Sequence, residues 1–106
     1  MKKLELVVSL KRSKSKEFKQ SLEILKDKIE EHSTSFDIDE LDDALSLSLL
    51  VHWETAVQMR QELQSDEFKI LSGAINSLCE KTIIRLDNKQ VGNHISNLNS
   101  IIQAKL

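Results

Sequence analysis

The segment LSLSLLVHWETAVQMRQELQSDEFKILSGAINSLCE, residues 45–80, decides the fold because its hydrophobic period changes part of the way along. Its first part alternates apolar with mostly polar side chains, and the apolar ones on one side are Leu45, Leu47, Leu49, Val51 and Trp53. A period of two predicts a β-strand over residues 45–53. The opposite side is partly apolar through Leu50, which is typical of a strand that is covered on both faces.

Two helical segments follow this strand. Thr55 and Gln58 have the spacing of a capping box, in which the threonine hydroxyl accepts a backbone N–H of the first turn. Ser65 restarts or bends the helix, because Asp66 and Glu67 after it place negative charge in a new first turn. The apolar side chains of the second segment recur at spacings of three, four and three, and they are Phe68, Leu71, Ile75 and Leu78.

The sequence before residue 45 predicts a strand, a helix and a second strand. The first strand has one apolar side, which is formed by Leu4, Leu6, Val8 and Leu10. The helix, over residues 15–32, has an apolar stripe formed by Phe18, Leu22, Leu25 and Ile29. A short strand is predicted over residues 34–38. The segment 37–43 then has five acids in seven positions, which is typical of an exposed, twisted connection.

The sequence after residue 80 predicts a fourth strand over residues 81–86 and a helix over residues 90–106. The apolar stripe of that helix is formed by Val91, Ile95, Leu98, Ile102 and Leu106. The whole order is β-α-β-β-α-β with an added C-terminal helix, an α+β arrangement of the ferredoxin-like kind. Both crossover helices then lie on one face of a four-stranded antiparallel sheet. Residues 1–89 form the domain, and residues 90–106 form a helical extension of the same domain.

The second face of this sheet has no cover inside one subunit, although it carries leucine and valine side chains. A chain of 106 residues buries only about two-thirds of its unfolded surface, so a larger shared core would stabilise it. We therefore expect a homodimer in which the sheets of two copies pack face to face.

The composition narrows the class of protein. A net charge of −2 and a pI near 5.9 give no general attraction to nucleic acid or to an anionic membrane, so neither partner is expected. The single cysteine, Cys79, excludes an intrachain disulfide and a cysteine-based zinc site. The apolar stretch near the N-terminus is too short and too interrupted for a signal peptide, which favours a cytoplasmic location.

The residues from Leu49 to Glu80 also resemble a known family. A strand ending in Trp53, then Glu-Thr, a helix, Ser-Asp-Glu-Phe and Leu-x-Gly-Ala-Ile is similar to the antibiotic biosynthesis monooxygenase domain, and the similarity extends over residues 3–86. The resemblance implies a homodimer whose two sheets close a barrel, with a pocket between sheet and helices in each subunit. It also implies oxidation of quinols or polycyclic aromatic compounds with O₂ and with neither metal nor flavin. A haem-degrading branch of the family binds haem in the same pocket, and other members have no known reaction.

The resemblance makes four residues candidates for a substrate pocket, and they are Trp53, Met59, Glu62 and Phe68. Trp53 matches the family tryptophan and could form an aromatic wall, or it could be a core residue that anchors strand to helix. Glu62 stands where many members have a histidine, and glutamate is a poor axial ligand for haem. Val7, Val8 and Ser9 stand where the haem-degrading members have an asparagine. No haem, other cofactor or metal is therefore expected.

Few other residues could take part in catalysis. Tyrosine is absent, and Met59 and Leu49 stand where phenol-oxidising members have polar groups. The remaining candidates are His52, Arg60 and Arg85, although alternation points His52 to the other side of its strand from the tryptophan. The three histidines form no metal-ligand pattern. The acidic segment 37–43 could suggest calcium, but it lacks the glycine and the closing glutamate of an EF-hand, which favours a solvated turn.

Two functions of different classes are compatible with these residues. The first is a monooxygenase-like protein that oxidises a quinol-like or small aromatic compound without a cofactor, as the resemblance implies. The second is a non-catalytic homodimer of the same fold that binds a small aromatic or lipophilic ligand or has a structural role. The absence of tyrosine and the glutamate at position 62 favour the second, whereas Trp53 favours the first. No catalytic residue is identified from the sequence.

Overall fold

The computed structural model describes residues 1–41 and 45–105 of the chain. The strands in this part are β1 (Lys2–Leu10), β2 (Ser35–Glu40), β3 (Ser46–Trp53), β4 (Cys79–Leu86) and β5 (Lys89–Gly92). The α-helices are α1 (Ser15–Glu31), α2 (Ala56–Leu63), α3 (Asp66–Leu78) and α4 (Leu98–Lys105). Short 3-10 helices occupy Arg12–Lys14 and Ile95–Asn97. Within the described residues, no helix has the length and the apolar character needed to cross a membrane.

The strands form one antiparallel sheet in the order β2-β3-β1-β4-β5. The central strand is β1, whose Leu6 lies opposite Leu49 on β3 and opposite Ile84 on β4. Because successive side chains point to opposite faces, these three residues lie on the same face of the sheet. The α+β, ferredoxin-like arrangement predicted from the sequence is confirmed.

One face of the sheet packs against α1 and α3. The core side chains of β1 and β3 are each at most 2% exposed, and they are Leu4, Leu6, Val8, Leu10, Leu47, Leu49, Val51 and Trp53. The predicted stripe of α1 is buried at Phe18, Leu22, Leu25 and Ile29. The predicted stripe of α3 is buried at Phe68, Leu71 and Ile75, and its last residue, Leu78, is half-buried against the core. Full burial of each such side chain stabilises the fold by roughly 1.5–3 kcal/mol. The apolar face of the sheet and the apolar stripes of the two helices therefore pack against each other.

Side-chain caps separate α2 from α3. The hydroxyl oxygen of Thr55 accepts a hydrogen bond from the backbone N–H of Gln58 at 3.2 Å. The hydroxyl oxygen of Ser65 accepts one from the N–H of Phe68 at 3.3 Å. Each cap satisfies a backbone donor that has no partner inside its helix. The predicted interruption of the helix at Ser65 is therefore confirmed.

The helix predicted over residues 90–106 is wrong in its first part. Asp87 and Asn88 have positive φ angles of 49° and 73°, and they turn the chain so that β5 pairs with β4. Two successive residues with positive φ are typical of a type I′ hairpin turn, which aspartate and asparagine tolerate well. Val91 belongs to β5, and its helical spacing from Ile95 was therefore misleading. The sheet has a fifth strand that the sequence analysis did not predict.

The added C-terminal helix is confirmed, but it begins at Leu98. It folds back on its own subunit, where α4 contacts α2 and β5. The buried side chains of this segment are Ile95, Leu98 and Ile102. Gly92 allows the close approach, because a Cβ there would lie 2.6 Å from Cδ1 of Ile101. The part of the prediction that concerns Leu106 lies outside the described residues.

The strand β2 runs two residues further than predicted, through Glu40. Asp39 and Glu40 therefore belong to the sheet rather than to a connection, and Asp39 lies opposite Ser48. Acidic side chains are tolerated here because β2 is at the edge of the sheet, and charges on an edge strand oppose pairing with other chains. Lys19 of α1 forms an ion pair with Glu40 at 3.1 Å. The remaining acids of the segment, Asp42 and Asp43, lie outside the described residues.

The hairpin turn gives a test of the unpredicted fifth strand. Asn88→Ala should lower the free energy of unfolding by about 1 kcal/mol, because alanine disfavours positive φ more than asparagine does. Asn88→Gly should preserve or raise stability, because glycine adopts this conformation without strain. Urea denaturation measures both variants, with Asn93→Ala as a control at an exposed asparagine that lacks positive φ. Equal losses for the alanine and glycine variants at position 88 would contradict the turn.

Candidate functional site

The four residues proposed for a pocket lie together between the end of β3 and the helices α2 and α3. The indole N–H of Trp53 donates a hydrogen bond to Oε1 of Glu62 at 3.0 Å. The rings of Trp53 and Phe68 have their centroids 6.0 Å apart and are tilted by 45°. Met59 lies less than one helical turn before Glu62 and is fully buried. Side chains from three elements therefore meet around the tryptophan.

Three of the four residues form a packed core at this place. Trp53 and Met59 are 0% exposed, and Phe68 is 1% exposed. Trp53 has the position of the core anchor that was its alternative interpretation, since it joins β3 to both following helices. Direct contact of these three side chains with a ligand stays a prediction.

Glu62 is buried because it lies on the side of α2 that faces the core. It shares the inward stripe of α2 with Met59 and Leu63, and only 4% of its surface is exposed. Its carbonyl oxygen accepts hydrogen bonds from the backbone N–H of Ser65 at 2.9 Å and from the Ser65 hydroxyl at 2.6 Å. These bonds fix the end of α2. The side chain points into the protein, where its carboxyl group accepts the Trp53 bond.

Glu62 also borders an open cleft at the edge of the sheet. The cleft has a volume of about 680 Å³, which lies in the usual range for small-molecule sites. Its described lining residues all have polar side chains, and they are Glu31, His32, Ser33, Thr34, Glu54, Gln58, Gln61, Glu62, Ser65 and Glu67. The lining therefore favours charged or hydrogen-bonding ligands over purely apolar ones.

Burial controls the acidity of Glu62. Loss of hydration raises the pKa of its carboxyl to about 7, whereas the Trp53 N–H bond and the nearby charge of His32 act to lower that pKa. The charge of Glu67 raises it further. Oε1 is bonded to Trp53, and Oε2 is buried without a hydrogen-bond partner in the described part of the chain. The site thus has a carboxyl group with one anchored oxygen and one buried oxygen that has no hydrogen-bond partner among the described residues.

This arrangement is suited to proton transfer. A carboxylate whose pKa lies near neutrality can take a proton from a weakly acidic group and return it later. Buried titratable groups with shifted pKa values that border a cleft are common features of functional sites. Glu62 is therefore the candidate acid or base of this chain.

Of the other polar candidates, Arg60 is half-buried on α2 and is not among the described residues that line the cleft, whereas His52 and Arg85 lie elsewhere. His52 lies on the uncovered face of the sheet, where its Nδ1 is 3.1 Å from the hydroxyl oxygen of Ser35. Arg85 lies on the same face and forms an ion pair with Glu5 at 3.1 Å. Alternation along the strands predicted this separation of His52 from Trp53. Cys79 is buried, and burial raises the pKa of its thiol to about 12, so the thiolate is disfavoured at neutral pH.

Most of the cleft lining was missed by the sequence analysis. Glu31 and His32 come from the end of α1, Glu54 from the turn after β3, and Glu67 from the first turn of α3. These residues come from three separate segments of the sequence, and each has an ordinary position at a helix end or in a turn. The available signal was their common position at helix ends and in turns, which the β-α-β-β-α-β order brings to one edge of the sheet. Among the described residues, no three of His, Cys, Asp or Glu form a group that could hold a metal ion.

Comparisons with known proteins identify the fold. No protein-family model matches the sequence. No curated protein matches it either. Solved structures do match, and one from Nitrosomonas europaea, provisionally named an antibiotic biosynthesis monooxygenase, has a TM-score of 0.74 at 16% identity, covering 81% of this chain and 95% of that chain.

Two further solved structures agree with this match. A conserved protein from Methanosarcina mazei Go1 has a TM-score of 0.74 at 21% identity, covering 83% of this chain and 91% of that chain. A protein from Caulobacter crescentus CB15 with the same provisional monooxygenase name has a TM-score of 0.73 at 12% identity, covering 82% of this chain and 87% of that chain. The chain has the fold of the antibiotic biosynthesis monooxygenase structures.

The raised pKa of Glu62 predicts how stability depends on pH. Below the ordinary pKa of 4.5 the carboxyl is protonated in the folded and unfolded chains, so its ionisation costs no stability. Between pH 4.5 and about 7 the unfolded chain ionises while the folded protein keeps its proton, so the free energy of unfolding falls, and above about pH 7 the loss is complete. The glutamine of Glu62→Gln does not ionise, so this variant escapes the loss. Its free energy of unfolding relative to the natural chain should therefore increase by between about 1 and 3 kcal/mol as the pH is raised from 5 to 8.

Chemical denaturation across this pH range measures the difference. Glu54→Gln is the matched control, because Glu54 lines the same cleft but is exposed, and its difference from the natural chain should stay constant. Carboxyl carbon NMR gives the pKa directly. A Glu62 pKa near 4.5, or parallel pH profiles for the two variants, would refute the assignment.

Proposed function

We propose that this chain oxidises a small quinol-like aromatic compound with O₂ and without a cofactor, and that Glu62 is its general base. The observation that carries the proposal is the buried carboxyl group of Glu62, with a pKa of about 7, at the wall of the cleft. A base with this pKa is well matched to removing a proton from a hydroxyl group near neutral pH. Support for the class of reaction comes from the fold, which is that of solved structures named antibiotic biosynthesis monooxygenases.

The proposed reaction balances with the substrate and O₂ alone. Glu62 removes the proton of an aromatic hydroxyl group, and a ring carbon of the resulting anion bonds to O₂ to give a peroxide. The O–O bond then breaks while the proton on that carbon is transferred to the departing oxygen, which leaves a carbonyl on the substrate and releases hydroxide. The proton held by Glu62 converts the hydroxide to water. The substrate loses four electrons, and O₂ gains them.

Trp53 is the positioning residue in this proposal. Its N–H donates a hydrogen bond to Oε1 of Glu62, so Oε2 is the oxygen that would accept the proton of the substrate hydroxyl group. The same N–H bond stabilises the ionised carboxylate and limits the rise in the Glu62 pKa. Loss of the bond would therefore make Glu62 a base only at higher pH.

A non-catalytic, ligand-binding or structural homodimer is the second candidate. Two observations favour it: the packed core around Trp53, and the polar cleft lining, which gives an aromatic or lipophilic ligand little apolar contact. In this case Glu62 would bind the ligand and transfer no proton. A cytoplasmic location is proposed for either function, with the free cysteine Cys79 as its support.

We also propose that two copies pair through the uncovered face of the sheet. Its half-buried apolar side chains are Val7, Leu50 and Ile83. Beside them, Glu5 accepts hydrogen bonds from the Ser48 hydroxyl at 2.7 Å and from Nη1 of Arg85 at 3.1 Å. Charges that are already paired within one subunit can be covered by a second copy at a smaller desolvation penalty. The apolar residues would then supply the centre of a self-complementary interface.

The proposed reaction predicts measurable oxygen consumption. The protein should consume O₂ with some member of a panel of reduced quinols, and kcat/KM should rise with pH through about 7 as Glu62 ionises. Glu62→Gln should lower kcat by roughly 100-fold or more, because it removes the base. Trp53→Phe should retain some activity while moving the pH midpoint upward.

An oxygen electrode and a pH profile for each variant separate the two functions. Glu23→Gln is a suitable control, because it removes an exposed carboxyl group of α1 that does not line the cleft. If no quinol in the panel is oxidised although some of them bind, the catalytic proposal fails and the binding function is favoured. If Glu62→Gln retains full activity, Glu62 is not the base.

The proposed dimer predicts that a substitution on the uncovered face of the sheet halves the mass of the particle in solution. Sedimentation at micromolar concentration should give a dimer for the natural chain and a monomer for Ile83→Lys, because a lysine at the centre of the interface would be buried without a partner. Ile24→Lys is the matched control, since Ile24 lies exposed on α1. A monomeric natural chain, or a dimeric Ile83→Lys variant with native circular dichroism, would refute pairing through this face.

A further inference from the structure

We propose that the cleft beside Glu62 binds a small organic compound through a protonated amine. The site is the one used in the proposed function, so this inference deepens that function by naming a charge that the ligand carries. It does not depend on oxidation, however, because an amine could bind in the same way to a non-catalytic protein. Three features of the cleft support the inference: its charge, the buried Oε2 of Glu62 that has no hydrogen-bond partner among the described residues, and its size.

The charge of the cleft is strongly one-sided. Four of its described lining residues are glutamates, Glu31, Glu54, Glu62 and Glu67, and the described lining includes no lysine or arginine. Opposing charge comes from His32 in the lining and from Lys28, which has an electrostatic interaction with Glu67. Carboxylates on several walls of one concave site concentrate a negative potential there, which attracts cations. A negatively charged ligand would instead be repelled.

The buried oxygen of Glu62 distinguishes this cleft from an ordinary acidic surface. Glu62 is only 4% exposed, and its Oε2 has no hydrogen-bond partner among the described residues. A buried polar atom without a partner costs roughly 1–3 kcal/mol, so a ligand donor that bonds to Oε2 would offset that cost. An ammonium group provides three N–H donors and a positive charge in one place. It can therefore bond to Oε2 while its charge is shared with the outer carboxylates.

The size of the cleft favours a molecule over a single ion. A volume of about 680 Å³ is comparable with that of sites for small organic ligands. The polar amides of Gln58 and Gln61 and the hydroxyls of Ser33 and Thr34 also line it, and they could bond to further polar groups of the ligand. An amine with a short polar or hydroxylated body fits this lining better than an apolar body does.

Amine binding is coupled to the ionisation of Glu62. An ammonium group beside Oε2 favours the carboxylate, so the amine should bind more tightly when Glu62 is ionised. The other groups that face Glu62 are Glu31 and His32 at the end of α1, Glu54 in the turn after β3 and Glu67 on α3. Because the pKa of Glu62 is about 7, the dissociation constant should fall by about tenfold from pH 6 to pH 8.

Putrescine, 1,4-diaminobutane, is the probe for a direct test by NMR titration of the full chain. It should produce saturable shifts of the Trp53 indole N–H, which reports on Glu62, and of the backbone amides around the cleft. The neutral analogue 1,4-butanediol should produce none, because it has the same length but no charge. Magnesium chloride tests whether any divalent cation has the same effect.

Variants show whether the shifts come from the proposed site. Glu62→Gln should weaken putrescine binding by at least about tenfold and abolish its dependence on pH between 6 and 8. Glu54→Gln should weaken binding by a few-fold, because it removes an exposed charge that water partly screens. Glu23→Gln, on the outer side of α1, should leave binding unchanged. Circular dichroism confirms that each variant is folded.

The outcomes distinguish this inference from the proposed function. If putrescine causes no saturable shift, if butanediol binds equally well or if magnesium gives the same shifts, the amine inference is overturned. The inference is also overturned if Glu62→Gln binds putrescine as the natural chain does. Oxygen consumption with quinols in the absence of amine binding would leave the proposed function standing alone. Amine binding without oxidation of any quinol would leave this inference standing alone.

Discussion

The hydrogen bond from the Trp53 indole to Glu62 is the interaction on which the rest of the site depends. It joins the last residue of β3, which is a neighbour of the central strand, to the inner side of α2, and it does so inside the hydrophobic core. The tryptophan can be fully buried only because its N–H has this acceptor. The carboxyl group can be buried only because one oxygen has this donor. Each residue thus makes the position of the other acceptable.

Because of this hydrogen bond, the two oxygens of the Glu62 carboxyl group have different surroundings at the boundary between core and cleft. One oxygen is fixed by Trp53, whereas the other has no hydrogen-bond partner among the described residues. Burial raises the carboxyl pKa to about 7, so both protonation states are accessible near neutral pH. A glutamine would keep the shape and lose this property. The main reason to assign a function to this site is that position 62 has an ionisable glutamate, although a glutamine there would make the fold more stable.

Elements that depend on local interactions could be predicted from the sequence, whereas those that depend on distant contacts could not. Alternation in β1 and β3 predicted the central strands, since one buried face imposes a period of two whatever the neighbouring elements are. The caps at Thr55 and Ser65 were predicted because they act within one turn of chain. The strand β5 was missed because Val91 fits a helical stripe equally well, and only the turn at Asp87 and Asn88 and pairing with β4 decide against a helix.

The sequence by itself determined the α+β class, the order of the main elements and the residues that face the core, because these follow from local periods and caps. It also singled out Trp53 and Glu62, through a resemblance whose fold the solved structures bear out. The tertiary structure alone decided that these two side chains bond to each other and that Glu31, Glu54 and Glu67 surround the same cleft. Such proximity depends on how the sheet brings distant segments to one edge. No local pattern records it.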